Sequence, residues 1–73
     1  MTNRLQYQRA DHLKRIIHLQ KRIHKYDLME EAKISISTYE KIKPWLEYKF
    51  SDFIKYEKST KEWVWIAEEY TEN

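Results

Sequence analysis

Three histidines are the side chains in this 73-residue sequence that are best suited to metal or acid–base chemistry. His12, His18 and His24 are spaced by six residues, which on a helix places them about 240° apart and on three different faces. No carboxylate stands beside them in a ligand spacing such as His-Glu-x-x-His. The chain also has no cysteine, which excludes a thiolate zinc site and a disulfide framework. We therefore expect no bound metal and no cofactor.

Catalytic arrangements are equally hard to find. The paired acids Glu30–Glu31 and Glu68–Glu69 fall in a predicted capping turn and a solvated tail, and no serine has a histidine neighbour in sequence. Because the chain has no glycine, it cannot build the phosphate-binding loops of nucleotide enzymes, whose backbones need positive φ angles. So small a core also leaves little room for a catalytic pocket. We predict a protein that is not an enzyme and has no small-molecule substrate.

Hydroxyl and ammonium donors cluster between residues 35 and 43. Ser35, Ser37 and Thr38 are followed by Lys41 and Lys43. Such donors suit hydrogen bonds to base edges and phosphates, and the free N–H groups at the start of a helix suit a phosphate oxygen. These five residues are therefore candidate nucleic-acid contacts.

Two short helices are predicted to position these donors. Asp27 can cap a helix that starts near Leu28, with Glu30 closing a capping box. Within the second helix Pro44 removes one backbone hydrogen bond, so we expect the chain to restart there as a new segment over residues 44–50. The second helix has one apolar stripe at the spacing i, i+3 and i+7, formed by Tyr39, Ile42 and Leu46.

The second helix has two candidate N-terminal caps. Ser35 has Thr38 three residues later, while Ser37 has Glu40 three residues later, which is the fuller capping-box signature. The sequence leaves both caps open. Glu40 is also able to accept a hydrogen bond from cytosine, but we favour its capping role.

A β-hairpin is predicted after the helices, because two segments are rich in strand-forming residues. These segments are Phe53–Glu57 and Glu62–Ile66. The absence of glycine favours a four-residue connection over a tight two-residue turn. The four polar residues of this connection are candidate contacts to a nucleic-acid backbone. They are Lys58, Ser59, Thr60 and Lys61.

The register of this hairpin has two alternatives. If Glu57 opposes Glu62, then Tyr56 pairs with Trp63 and Ile54 with Trp65, which gives two aromatic cross-strand contacts. The like charges of the two glutamates instead favour a register slipped by one residue.

The run over residues 27–66 resembles the small winged-helix proteins common in archaea and their viruses. Residues 32–39 have the alanine, turn and Ser-x-x-Thr register of helix-turn-helix regulators, although Lys33 stands where those families usually have glycine. The resemblance implies an α+β winged helix-turn-helix fold, with three helices and a C-terminal two-stranded β-hairpin wing. It also implies a small transcriptional regulator that binds double-stranded DNA, with its second motif helix in the major groove and its wing on adjacent backbone or minor groove.

Positive charge is concentrated in the N-terminal third. Residues 1–25 hold seven Lys or Arg and one Asp, whereas residues 26–73 hold seven Lys and eleven acids.

We predict a first helix whose buried face is formed by Leu13, Ile16, Ile17 and Ile23, flanked by Leu19. The opposite face of this helix carries Lys14, His18, Lys21 and Lys25. This face is either a ridge that contacts phosphates or a partner, or a solvated face. Residues 1–8, with Arg4, are either an arm that reaches a minor groove or a fraying terminus.

The aromatic residues have two readings, a stacking platform for single strands or the core of a small domain. We favour the core, and we expect Trp63 to remain partly exposed. The set comprises Trp45, Tyr48, Phe50, Phe53, Tyr56, Trp63 and Trp65.

Length and composition give the remaining expectations. A domain this small buries only about 60% of its unfolded surface, so we expect a homodimer. The longest apolar run has five residues, from Trp63 to Ala67, which is too short to span a membrane, and we expect a cytoplasmic protein.

We divide the chain into an arm (1–8), a domain (9–66) and an acidic tail (67–73). The Lys- and Glu-rich usage without cysteine resembles that of hyperthermophile proteins.

Two alternatives to a sequence-specific regulator remain. Near-neutral charge on the second motif helix favours a protein-interaction module, in which the aromatic hairpin and the basic first helix dock on a partner. A non-specific architectural DNA-binding protein would instead bind scrambled sites with similar affinity.

Overall fold

The computed structural model describes the backbone of residues 2–67 and the side chains of residues 4–67. The acidic tail predicted from residue 67 therefore lies, from residue 68 onward, outside the described residues. The helices are α1 (Thr2–Gln20), α2 (Lys25–Ala32) and α3 (Ile36–Lys49), and the strands are β1 (Arg22–His24), β2 (Ile54–Glu57) and β3 (Glu62–Trp65). The strands form one antiparallel sheet in the order β1-β3-β2. The fold is α+β, and the predicted two-stranded hairpin is joined by a third strand.

The first helix is shorter at its C-terminal end than the sequence predicts. It ends at Gln20, and Lys21 takes a left-handed conformation with φ 70°. Ile23 is buried in β1, opposite Trp63 of β3, while Leu19 is 80% exposed. The prediction that Lys14, His18, Lys21 and Lys25 share one face of a continuous helix is therefore wrong for Lys21 and Lys25, which lie beyond the end of α1. At the other end, residues 2–8 form the first turns of α1 where the sequence suggests an arm.

The second helix starts earlier than predicted. Its N-cap is His24, whose Nδ1 accepts a hydrogen bond of 3.2 Å from the Tyr26 N–H. Asp27 is consequently not the cap and lies in the first turn, where its charge still complements the helix dipole. The helix ends in a left-handed cap at Lys33, with φ 57° and ψ 49°, at the position where helix-turn-helix proteins usually have glycine.

The third helix carries the predicted buried stripe and one corrected feature. Tyr39, Ile42 and Leu46 are all fully buried, as their spacing predicts. The expected restart at Pro44 is wrong, since α3 runs through it to Lys49. Pro44 is exposed, so water can hydrate the carbonyl that loses its intrahelical partner, and the buried stripe on the opposite side holds the helix together.

The hairpin has the register in which Glu57 opposes Glu62. Ile54 pairs with Trp65, Tyr56 with Trp63, and Glu57 with Glu62, and a four-residue connection joins the strands. The expected slip does not occur because β1 brings Arg22 to the two like charges. Its Nη1 lies 3.0 Å from Glu57 Oε1 and 2.6 Å from Glu62 Oε1.

Trp63 is the centre of the core. It is only 1% exposed, so the expectation of partial exposure is wrong. Its indole N–H donates a 2.9 Å hydrogen bond to the buried Tyr39 hydroxyl. Burial raises the pKa of Tyr39 to about 12, although the Trp63 bond opposes that shift. The core cluster also includes Ala10, Leu13, Ile17, Ile23, Leu28, Met29, Ile42, Leu46, Phe50 and Ile54.

We predict that replacing Arg22 with Gln removes part of the acid sensitivity of the fold. The hydrogen bond from Arg22 lowers the pKa of Glu62 below its ordinary value of 4.5. Because the folded pKa is depressed, this stabilisation is present above about pH 4.5 and is lost as pH falls through the folded pKa. Urea unfolding between pH 3 and 7 should show a shallower acid limb in the variant. Lys55→Gln, on β2 at the opposite edge of the sheet, should keep the wild-type limb, and an unchanged limb in the Arg22 variant would contradict the assignment.

Candidate nucleic-acid interface

A network of three hydroxyl groups forms the start of α3. The Thr38 N–H donates a 3.2 Å hydrogen bond to Ser35 Oγ, which identifies Ser35 as the N-cap. Ser35 Oγ also lies 3.2 Å from both Ser37 Oγ and Thr38 Oγ1. Ser35 is thus engaged in capping, Thr38 is half-buried, and Ser37 is exposed. Ser35 is exposed as well, but its Oγ already accepts the cap hydrogen bond, so Ser37 is the better candidate to donate to an external acceptor.

The exposed side of α3 forms a narrow outward ridge. At about 100° per residue, Ser37, Lys41, Pro44 and Tyr48 lie along one line, and all four are exposed. Lys43 is not part of this ridge. Its Nζ lies 5.2 Å from the centre of the Tyr56 ring, so its side chain leans toward the sheet. Lys41 and Lys43, predicted as one group, therefore lie on different sides of the helix.

The β2–β3 loop is exposed but firmly attached. Lys58, Ser59, Thr60 and Lys61 are all exposed. Thr60 Oγ1 lies 3.4 Å from Glu57 Oε1, Lys61 takes the left-handed conformation with φ 59°, and the Lys61 carbonyl accepts a 2.9 Å hydrogen bond from the Lys25 N–H. The loop is thereby tied to the start of α2, and Lys25 lies beside the loop lysines.

The helix and the hairpin share a border. A shallow depression of about 310 Å³ lies between them. It is lined by Glu47 of α3 and by Lys55, Tyr56 and Lys58 of the hairpin. A ligand that covers the outward side of α3 could therefore also reach the beginning of the loop.

The other predicted phosphate contacts lie at different places on the surface, and two of them border one aromatic pair. Lys14 pairs with Asp11 at 3.3 Å, and its Nζ lies 4.9 Å from the centre of the Phe50 ring. Lys21 Nζ lies 5.8 Å from the Trp65 ring centre. Arg4 is exposed on the N-terminal part of α1. Lys14 Nζ also lies 5.6 Å from the Phe53 ring centre, and Phe53 stacks on Trp65 at 5.7 Å, so Lys14 and Lys21 border the same aromatic pair. Of these predicted contacts, Lys25 is the one that adjoins the predicted loop.

Negative charge gathers beside α2. An open cavity of about 480 Å³ lies beside α2 and the start of β3, and its charged walls carry four acids, Asp27, Glu30, Glu31 and Glu62, against one cation, Arg22. Among residues 4–67, no three His, Asp or Glu side chains converge as metal ligands. The acidic walls make this surface unsuited to a polyanion.

Sequence reasoning missed one prominent feature of α3. Tyr48 is 82% exposed, and Pro44, Trp45, Tyr48 and Lys49 line an apolar groove of about 210 Å³ beside it. The available signal was the seven-residue spacing from Lys41 to Tyr48, which places both on one side of a helix. Assigning all the aromatic residues to one core concealed it.

The chain matches no protein-family model, no curated protein and no solved structure. Among residues 2–67, no helix combines the length and the apolar character needed to cross a membrane. Function must therefore be inferred from the residues themselves.

We predict that Ser35→Ala destabilises the protein by about 1 kcal/mol, since it removes the cap of α3 and leaves the Thr38 N–H without its acceptor. Ser37→Ala, two residues away, should change the free energy of unfolding by no more than about 0.5 kcal/mol. Urea denaturation of both variants measures the difference. Equal destabilisation would indicate that the cap is shared between the two serines.

Proposed function

We propose that this protein binds duplex DNA as a small winged-helix transcriptional regulator. In this proposal α2 and α3 form the helix-turn-helix, α3 enters the major groove, and the β2–β3 loop contacts adjacent backbone or minor groove. Support comes from the order of the elements, because the hairpin follows α3 directly and packs against it. The left-handed turn at Lys33 and the Ser35 cap give α2 and α3 the connection that a helix-turn-helix requires.

The observation that carries the proposal is the rigid link between the two exposed elements. Trp63 of the hairpin and Tyr39 of α3 share a buried hydrogen bond, while the Lys58–Lys61 loop and the outward ridge of α3 remain exposed. Two exposed donor-bearing elements held at a fixed separation suit a ligand with a regular repeat, such as a DNA groove and its flanking backbone.

Roles follow from what each side chain can reach. We assign base contacts to Ser37, Thr38 and Lys41, with the exposed Ser37 and Lys41 foremost. Phosphate contacts fall to Lys43, Lys58 and Lys61, and Lys25 joins them beside the loop. A homodimer would place two copies of α3 on half-sites about ten base pairs apart.

A second candidate is a protein-interaction module. The exposed apolar side chains of α3 favour it, since Ile36 is 52% exposed and Tyr48 82% exposed. The near balance of charge on α3, with Lys41, Lys43 and Lys49 against Glu40 and Glu47, points the same way.

Fluorescence anisotropy separates these candidates. A labelled mixed-sequence duplex is titrated with protein at several salt concentrations between about 50 and 200 mM, where phosphate contacts lose much of their strength. DNA binding predicts an affinity that falls linearly on a log–log plot, with a slope that counts the phosphate contacts. No binding at the lowest salt would overturn DNA as the partner and favour the protein-interaction module.

The division of roles gives a sharper prediction. Lys41→Ala should weaken binding and reduce sequence preference, whereas Lys58→Ala should weaken all sequences alike and flatten the salt slope by about one. Arg15→Ala, which removes an exposed α1 cation that pairs with Asp11 at 3.1 Å, is the control for loss of charge alone. Indistinguishable effects of the Lys41 and Lys58 substitutions on preference and slope would refute the assignment.

A further inference from the structure

An apolar patch occupies the C-terminal half of the outward ridge of α3. Tyr48 is 82% exposed and stands beside Pro44 and the half-buried Trp45, with Lys49 at the edge of the groove. Exposed aromatic surface on a helix that otherwise buries its apolar stripe is a mark of a binding surface. Neither the phosphate contacts nor the hydroxyl donors proposed above use this patch.

The patch is supported from behind. The Trp45 ring contacts Tyr7 of α1 edge to face at 6.2 Å, and Lys49 Nζ lies 5.9 Å from the centre of the same ring. The proline ring of Pro44 is itself rigid. The Pro44 and Trp45 side of the groove therefore needs little ordering when it binds a ligand, which favours affinity.

Charge around the patch is segregated. At about 100° per residue, Lys49 lies with Trp45 on the side that faces α1, and Lys41 lies on the ridge itself. Glu40 and Glu47 lie on the side toward the sheet, where Lys43 leans onto the Tyr56 ring. Arg4 adds a cation on α1, one helical turn before Tyr7. The α1 side of the patch is thus bordered by cations, which suits a ligand that combines a polyanionic backbone with apolar groups.

We infer that Tyr48, together with Pro44 and Trp45, recognises thymine methyl groups in the major groove and so determines part of the sequence preference. The inference rests on the proposed DNA binding. The C5-methyl of thymine is the apolar group that base edges present in that groove. Lys41 and Tyr48 are seven residues apart, about 10 Å along the helix, which corresponds to about three base-pair steps. Tyr48 therefore reads A·T pairs about three steps from the base that Lys41 contacts.

The test compares thymine with uracil, which differ only by this methyl group. Duplexes enriched by the wild-type protein from a randomised pool are remade with deoxyuridine in place of thymidine, first throughout and then one position at a time. Anisotropy gives the ratio of the two dissociation constants. Wild-type protein should bind the thymine form more tightly, by about fourfold for each methyl group that it buries.

Matched variants assign the effect to the patch. Tyr48→Ala should bind both forms alike, Tyr48→Phe should keep the wild-type ratio because the apolar ring remains, and Tyr26→Ala should also keep it. Tyr26 is an exposed tyrosine of α2, 54% exposed, and serves as the control. Circular dichroism melts confirm that each variant is folded, which is expected because both tyrosines are exposed.

The outcomes separate this inference from the proposed function. Wild-type protein that binds DNA but does not distinguish thymine from uracil overturns the methyl contact and leaves DNA binding intact. A thymine preference that survives in Tyr48→Ala also overturns the assignment. Failure to bind any duplex at about 50 mM salt overturns the proposed function itself, and the patch would then belong to a protein interface.

Discussion

The hydrogen bond between Trp63 and Tyr39 links the two halves of this small domain. Trp63 lies on the central strand of the sheet, opposite Ile23 on one side and Tyr56 on the other, and its indole N–H meets the Tyr39 hydroxyl of α3 at 2.9 Å. Leaving either buried group without a partner costs about 1–3 kcal/mol, a large share of the stability of a domain this size. The pair therefore permits few other arrangements of sheet against helix. The exposed surfaces of α3 and the hairpin loop owe their fixed separation to this contact.

Residue spacing predicted the helices and strands well where the interactions that define them join residues close in sequence. The buried stripe of α3 and the pairing of Tyr56 with Trp63 both follow from sequence spacing. The preference for a slipped register failed, because the repulsion between Glu57 and Glu62 was weighed without Arg22, which is 35 and 40 residues away in sequence. A cation contributed by a third strand is a tertiary fact, and no window around the hairpin contains it.

The absence of glycine concealed the end of α1. Three lysines take left-handed conformations, Lys21, Lys33 and Lys61, at positions where glycine would ordinarily mark an element boundary. For Lys33 and Lys61 the flanking segments revealed the turn. For Lys21 they did not, since Ile23 follows Ile16 at a seven-residue spacing and so continues its helical period, and β1 has only three residues. A strand so short is specified by its partner, as its carbonyl and amide groups pair with β3, more than by its own sequence.

For the candidate interface too, the sequence did not show which elements pack together. Spacing identified Ser37, Lys41 and the loop lysines as exposed donors, but it could not show that Lys14 and Lys43 lie against aromatic rings, which requires knowing which elements pack together. Net charge was also a poor guide, because a formal charge of +2 averages an acidic cavity beside α2 with a cation-bordered side of α3. A polyanion responds to the local potential over about a Debye length, roughly 10 Å, and the groove beside Tyr48 has Lys49 in its lining. Separation of the two signs, rather than their sum, gives this nearly neutral chain one cation-bordered surface, which is what the proposed DNA binding needs.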